Sequence, residues 1–444
     1  LRSFFKTVYI APLLYYIIAA EVAFLVLGFF FPLIYSLSFY TLIIILVLII
    51  TDAIILYANK NGISAKRNTL EKLSNGDENS VSIFIENRYS FPAKLTVIDE
   101  LPYQLQMRDT KYIVRINPGD NKTIQYAVHP MKRGEYHFGA LNIFIKSQIG
   151  FLERRYRFSN NMMVPVYPSF IQMRKYELLA INNRITDSGI KKIRRIGNHA
   201  EFDQIKEYIA GDDYRTINWK ATARKERLMV NQFQDERSQQ VYSLIDMGRV
   251  MQMPFEGLSL LDYSINSSLV ISNIAMLKND KAGVITFSSK VQSVLPAERK
   301  SGHLNKILQL LYNQKTDYLE SDFENLYINV KKRISSRSLL LLFSNFESLP
   351  ALQRQIKYLK RLSKDHLLVV IFFENTELKK LINAPAVSAE DIYHKTIAEK
   401  FAVEKKLIVK ELERYRIPSI LTDPKNLSVN TINKYLELKA RGLL

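Results

Sequence analysis

The chain has 444 residues, is 47% hydrophobic and 24% charged, and carries a formal charge of +19 with no cysteine. A mean hydropathy of -0.08 excludes a polytopic transporter, and the missing thiols exclude disulfides, thiolate zinc sites and cysteine nucleophiles while leaving the redox compartment open. The length allows an anchor plus two or three folded domains, and the charge suits nucleic acid, anionic lipid or an acidic protein.

No nucleic-acid recognition motif accompanies the charge, so nucleic acid is not the expected partner. Membrane proximity suffices, at about 1 kcal/mol per basic residue near an anionic surface. The densest basic stretch is a loop at Lys191, Lys192, Arg194 and Arg195, expected to lie on such a surface.

From Thr7 to Ala20 and again from Val22 to Thr51 no residue is charged. A single helix over the second run would be about 45 Å long against a hydrocarbon core of about 30 Å. Gly28 and Pro32 stand where a break is needed, so two spans are predicted, near residues 7–27 and 34–57, within an anchor over 1–58. A cleaved signal peptide is disfavoured, because a second apolar segment follows at once without a small-residue cleavage site. Arg2 and Lys6 precede the first span, and Lys60, Lys66, Arg67 and Lys72 follow the second. The positive-inside rule then places both ends in the cytoplasm. Glu21 lies inside the first span and Asp52 near the end of the second. Glu21 is either functional or simply held between the two helices, and the second reading is preferred because no relay partner marks the first.

After a polar linker the pattern switches to period two, as in Val81–Asn87, Lys94–Ile98 and Thr123–Val128, with turns at Asn117–Asp120 and Arg133–Tyr136. Short strands at this spacing predict a small β-sandwich, immunoglobulin-like, over 75–167, with a scaffolding or partner-contact role. The segment 189–235 is densely charged and reads as helical, with Gly211 ending one helix and Asp212 or Asp213 capping the next. Arg215, Lys220 and Arg224 can meet Asp203, Glu207, Asp212 and Asp213 around the chain's one tryptophan, Trp219. This is a partner-binding surface or an ion-pair network that locks the segment onto the next domain.

From residue 236 to the end, apolar strand-like runs alternate with amphipathic helices. The strands are expected at Val241–Asp246, Ala282–Phe287, Val291–Leu295, Ser338–Phe343, Leu367–Phe373 and Ser419–Leu421. That alternation predicts a doubly wound, Rossmann-like α/β domain over 236–444 with a mostly parallel sheet. Ligands of such sheets sit at the carboxyl ends of the strands, which directs attention to Asp246 and to Ser344-Asn345.

The run from Glu201-Phe202 through Tyr208-Ile209-Ala210-Gly211-Asp212-Asp213-Tyr214-Arg215 to Asn218-Trp219-Lys220-Ala221-Thr222-Ala223-Arg224 resembles the signature of the bacterial domain-of-unknown-function 58 family. The two-span anchor, the β-rich segment and the tail ending Tyr435-Leu436-Glu437-Leu438-Lys439 agree with it. The resemblance implies a von Willebrand factor type A-like domain from about 236 onward. It also implies association with AAA+ ATPases of the MoxR type, the chain acting as a membrane-bound adaptor in chaperone-like assembly or activation of other proteins.

Type A domains often hold a divalent cation through Asp-x-Ser-x-Ser, a threonine from a second loop and a further aspartate. Here the matching stretch is Asp246-Met247-Gly248-Arg249-Val250, with Ser321 where the threonine would be and Asn345 where the second aspartate would be. This is a degenerate metal-ion-dependent adhesion site. With a single carboxylate among Asp246, Ser321 and Asn345, Mg²⁺ is at best weakly held and no cofactor is expected, Asp246 then being structural. A metal-dependent adhesion module is the alternative function.

No Walker A motif, G-x-S-x-G elbow or H-E-x-x-H stretch is present, so an enzyme is not expected, and an uncharacterised membrane-associated hydrolase is the remaining alternative. His129, His137, His199, His303, His366 and His394 show no metal-ligand spacing. The sequence thus predicts a bacterial inner-membrane, multi-pass scaffold whose soluble domains face the cytoplasm.

Overall fold

The structure, a computed structural model, describes residues 6–443 except 109, 160, 182–199, 210, 211, 213, 236, 237, 317, 386 and 387. The basic loop Lys191–Arg195, Gly211 and Asp213 lie outside the described residues. Two compact units make up the chain, Leu1–Ser169 and Phe170–Leu444.

The first unit opens with strand β1 (Val8–Ile10), followed by helices α1 (Pro12–Phe30) and α2 (Pro32–Tyr57). Each helix begins on proline, whose missing N–H is no loss in a first turn and whose φ is already helical. They have 19 and 26 residues at mean hydropathies of 2.2 and 2.7, long and apolar enough to cross a membrane. The first helix starts later than position 7 because Val8–Ile10 pairs antiparallel with Leu152–Arg154. The break falls at Phe31, which Pro32 forces into extended backbone at φ -133°. Gly28 instead lies inside α1 and permits a tight turn, since a β-carbon there would stand 2.9 Å from the Tyr35 Cα.

Glu21 is 8% exposed and sits between the helices. The Thr41 hydroxyl lies 3.0 Å from each of its oxygens and donates to them. Asp52 does a different job. It is fully buried and accepts the backbone N–H groups of Phe151 at 2.9 Å and Leu152 at 2.8 Å, together with the Ser147 hydroxyl. Two residues on from Leu152, Arg154 donates to the carbonyls of Leu56, Asn59 and Lys60 at 2.5, 2.7 and 3.0 Å. Leu56 is in the last turn of α2, whose carbonyls lack intrahelical donors, and Asn59 and Lys60 belong to the turn that follows the helix. The last turn of α2 is therefore built into the strands.

The strands that follow are β2 (Ile63–Asn68), β3 (Leu73–Ser74), β4 (Asn79–Asn87), β5 (Ala93–Asp99), β6 (Lys111–Ile116), β7 (Asn121–Val128), β8 (Gly134–Phe138), β9 (Leu141–Lys146), β10 (Leu152–Phe158) and β11 (Met162–Tyr167). They form a sheet of order β1-β10-β9-β5-β6 and two smaller ones, β2-β4-β7 and β3-β11-β8. The period-two runs act as read: Val81, Ile83 and Ile85 are fully buried, while the residues between them are less so. Leu14 and Leu56 from the helices join Ile83, Ile85, Leu95 and Ile143 in one apolar core.

The second unit begins with α3 (Phe170–Ile181), then β12 (Ala200–Glu207), α4 (Trp219–Lys225) and β13 (Met229–Asp235). Here the helical reading of 189–235 is corrected. Ala200–Glu207 pairs antiparallel with Met229–Asp235, and Asn218 rather than Asp212 or Asp213 caps the short helix between them. Local charge spacing suited a helix, but Phe202 and Ile205 have register partners only in a strand that comes some thirty positions later.

The remainder is β14 (Gln240–Asp246), β15 (Pro254–Phe255), β16 (Leu258–Ser259), α5 (Leu260–Leu277), β17 (Lys281–Phe287), β18 (Val291–Glu298), α6 (His303–Tyr312), α7 (Phe323–Arg333), β19 (Leu339–Phe343), α8 (Leu349–Asp365), β20 (Leu367–Phe373), α9 (Thr376–Asn383), α10 (Ala389–Arg414), β21 (Ser419–Thr422) and α11 (Leu427–Ala440). Strand order is β18-β17-β14-β19-β20-β21, parallel throughout except for β18. Helix α5 is also long and apolar enough to cross a membrane, but 78% of its most apolar window is buried inside the unit. It is a core helix. The mixed sheet with its helices matches the alternation read from the sequence.

Candidate functional site at the carboxyl edge of the sheet

Strand order reverses at β14, since β17 lies on one side of it and β19 on the other. A crevice opens at such a point beyond the carboxyl ends of the strands. Here it has a volume of about 90 Å³ and is lined by Asp246, Ser321, Ser344, Asn345, Arg249 and Arg354, among others. The loop before α7 covers one side of it. The Leu319 carbonyl accepts the Arg249 N–H at 3.1 Å, the Thr316 hydroxyl donates to the Met247 carbonyl at 2.6 Å, and Asp322 caps α7 by accepting the Asn325 N–H at 3.0 Å.

Asp246 ends β14 and is fully buried. Its oxygens accept the Ser321 hydroxyl, the Ser344 hydroxyl at 2.6 Å and the Gly248 N–H at 2.8 Å. Burial raises its pKa, and these three donors work against that rise. Gly248 has no room for a side chain: a β-carbon would stand 1.9 Å from the Ser321 Oγ. A serine at 248, which an intact adhesion motif would carry, is incompatible with this placement of Ser321.

Of the three residues singled out as metal candidates, the structure brings Asp246 and Ser321 into contact and turns the third elsewhere. Asn345 lines the crevice, but its amide oxygen accepts from the Lys405 ammonium at 2.7 Å, and the same ammonium donates to the Phe346 carbonyl at 2.6 Å. Lys405 lies on α10, and desolvation brings its pKa down to about 8, against a smaller upward push from Glu347. The donor set thus offers one carboxylate, already satisfied, and an amide oxygen already bonded to a cation. It fits a divalent cation poorly. Among the described residues no group of three His, Cys, Asp or Glu side chains converges as metal ligands would.

Sequence reading missed Lys405. The signal was there in weak form: Ala398, Ala402, Lys405, Ile408 and Leu412 keep helical spacing, and Ala398, Ile408 and Leu412 are buried. A lysine on an apolar stripe needs a partner.

In the family-signature segment, Asp212 accepts the Ile209 N–H and the Lys206 ammonium, each at 3.0 Å, which lowers its pKa. Arg227 pairs with Glu207 at 2.9 Å. Trp219 is 70% exposed, and Lys220 and Arg224 are exposed with it. Arg215 lies in the turn Tyr214–Thr216. His303 is buried, and its Nε2 donates to the Ala282 carbonyl at 2.7 Å, a packing role. A larger hollow of about 390 Å³ in the first unit is lined by Glu100, His137, Arg157 and Met162. Glu100 there is committed to the Ala140 N–H and the Asn142 amide.

A family model described as "Protein of unknown function DUF58" matches residues 204–404. The "Uncharacterized protein YeaD" of Bacillus subtilis (strain 168) is 25% identical over 248 residues, covering 54% of this chain and 59% of that protein. Among solved structures, the conserved hypothetical protein BatB from Bacteroides thetaiotaomicron is similar at 12% identity and TM-score 0.30, covering 46% of this chain and 100% of that one. The PapD-like domain 7 of human CEP192 is similar at 10% identity and TM-score 0.19, covering 24% and 87%. At those scores neither structural likeness bears on the fold. The family signature from Gln204 onward and the crevice residues Asp246, Ser321 and Asn345 lie in the matched stretch, and residues 204–404 match the model of the domain-of-unknown-function 58 family.

Proposed function

We propose that the chain is a membrane-tethered scaffold whose C-terminal α/β unit binds a cytoplasmic AAA+ ATPase of the MoxR type, or its client proteins, in chaperone-like assembly or activation. On this reading α1 and α2 cross the inner membrane of a bacterial cell with both ends inside. The β-rich first unit is a small immunoglobulin-like sandwich that serves as a spacer, and the second unit is von Willebrand factor A-like. The observation that carries the proposal is the crevice at the carboxyl edge, where three loops meet over Asp246. Its rim holds the exposed arginines Arg249 and Arg354, and its buried carboxylate is held by Ser321, Ser344 and the Gly248 N–H, which suits recognition better than turnover. The test is affinity purification from native membranes. An ATPase of this type should co-purify, and Arg354→Glu, a surface change with little effect on stability, should reduce its recovery at least several-fold. Equal recovery with the variant rejects the crevice as the contact.

The contact between Asp246 and Ser321 favours a second reading, metal-dependent adhesion. It requires Asn345 to leave Lys405. It predicts that Mg²⁺ raises the melting temperature and that Asp246→Ala abolishes the rise; no rise in the parent chain rejects it.

A further inference from the structure

The winding of the second unit's sheet gathers basic residues at one edge. Strands β14, β19, β20 and β21 run parallel, so every crossover helix starts at the carboxyl edge and ends at the amino edge. At the carboxyl edge the loops and first helical turns carry both signs: Glu320, Asp322 and Glu324 before and in α7 and Glu347 after β19 stand near Arg249 and Arg354, and Glu374 and Glu377 after β20 pair with Lys379 and Lys380. The amino edge is more one-sided. Helix α7 ends on Lys331, Lys332 and Arg333, and α8 carries Lys360, Arg361 and Lys364 in its last turns. Arg414 and Arg416 precede β21.

Basic residues at helix ends complement the macrodipole, which accounts for one or two per helix. It does not account for the six exposed cations that α7 and α8 bring to one edge. Among the described residues none of Lys331, Lys332, Arg333, Lys360, Arg361 and Lys364 forms a salt bridge, and Arg414 has only a 3.8 Å contact with Glu411. Aromatic faces hold some of these stems in place: Lys331 and Arg361 lie over Tyr327 at 5.8 and 5.7 Å, and Lys360 lies over Tyr415 at 4.3 Å.

We propose that the amino edge of this sheet docks on an anionic bilayer surface and so presents the crevice at the opposite edge to soluble partners. The inference rests on the membrane-anchor reading of α1 and α2. A chain anchored in a bilayer keeps this edge at high effective concentration next to lipid headgroups, and the clustering of unpaired cations at one edge orients the unit in their field. Anionic lipid is favoured over nucleic acid or an acidic protein because the chain brings the bilayer with it.

The experiment uses the full chain in nanodiscs of phosphatidylcholine alone or mixed with phosphatidylglycerol. An amine-reactive reagent labels exposed lysines, and peptide mass spectrometry reads each site. Labelling of Lys332, Lys360 and Lys364 should fall by roughly tenfold in the anionic discs and recover at high salt. Lys290, exposed in the turn between β17 and β18 at the carboxyl edge, should label equally in both. The double variant Lys360→Glu/Lys364→Glu should lose the protection at Lys332. Equal labelling in the two disc types overturns the proposal, as does protection that appears only when duplex nucleic acid is added. A chain that stays out of the discs overturns the anchor reading, and the proposal with it.

Discussion

Asp246 is the side chain on which the crevice is built, and its chemistry can be tested one atom at a time. Asparagine can still accept the Gly248 N–H through its oxygen and donate to Ser344 through its amide, whereas alanine leaves the buried Gly248 N–H without an acceptor. Asp246→Asn should therefore be more stable than Asp246→Ala by about 1–3 kcal/mol in denaturant unfolding. A second probe is Gly248→Ala, whose new β-carbon would meet the Ser321 Oγ at 1.9 Å. It should cost about 1–3 kcal/mol, and adding Ser321→Ala should recover part of that loss in a double-mutant cycle. Lys405 gives the pH dependence. Its pKa is lowered from 10.5 to about 8 by desolvation, so between those values the unfolded chain binds the proton that the folded one has released. Its contribution to stability is present above 10.5 and lost as the pH falls through about 8. Unfolding measured from pH 8 to 10.5 should show stability rising with pH, and Lys405→Met should remove that part of the slope.

At the scale of elements, what could be read in advance depended on where the determining contacts lie. Strands with their own alternation, such as Asn79–Asn87, and helices announced by proline, such as Pro32–Tyr57, were legible because each signal is local. The strand Ala200–Glu207 was not, because its pairing partner lies at Met229–Asp235. Asp52 shows the same limit. Read along the chain it is a carboxylate near the end of an apolar span, and only the fold reveals that it caps the backbone of Phe151 and Leu152. Two buried N–H groups lose their acceptor in Asp52→Ala, which should destabilise the first unit by about 2–5 kcal/mol. Proteolysis of Asp52→Ala in nanodiscs should cut first in the hairpin around Ile149–Gly150, whereas cleavage elsewhere would show that the loop holds itself. A resemblance put Ser321 with Asp246 as a candidate metal ligand, and the structure shows the two in hydrogen-bond contact. Lys405 was not found, because nothing in its spacing says that it reaches Asn345 from another helix.

For the whole molecule, the proposed membrane-tethered scaffold rests on two helices long and apolar enough to cross a membrane and on an α/β unit with a crevice at one sheet edge and a basic cluster at the other. Composition gave two spans apolar enough to cross a membrane and the excess of positive charge, but not the clustering of Lys331–Arg333 with Lys360, Arg361 and Lys364 at one edge, since that depends on the parallel winding of β14, β19, β20 and β21. The most direct measurement is site-specific photo-crosslinking in native membranes, with the photoreactive residue at position 354 on the crevice rim or at position 332 on the basic edge. The expected result is an adduct at 354 that contains peptides of a MoxR-type ATPase, and lipid or no protein adduct at 332. ATPase peptides absent from the 354 adduct, or recovered equally from 332, would contradict it.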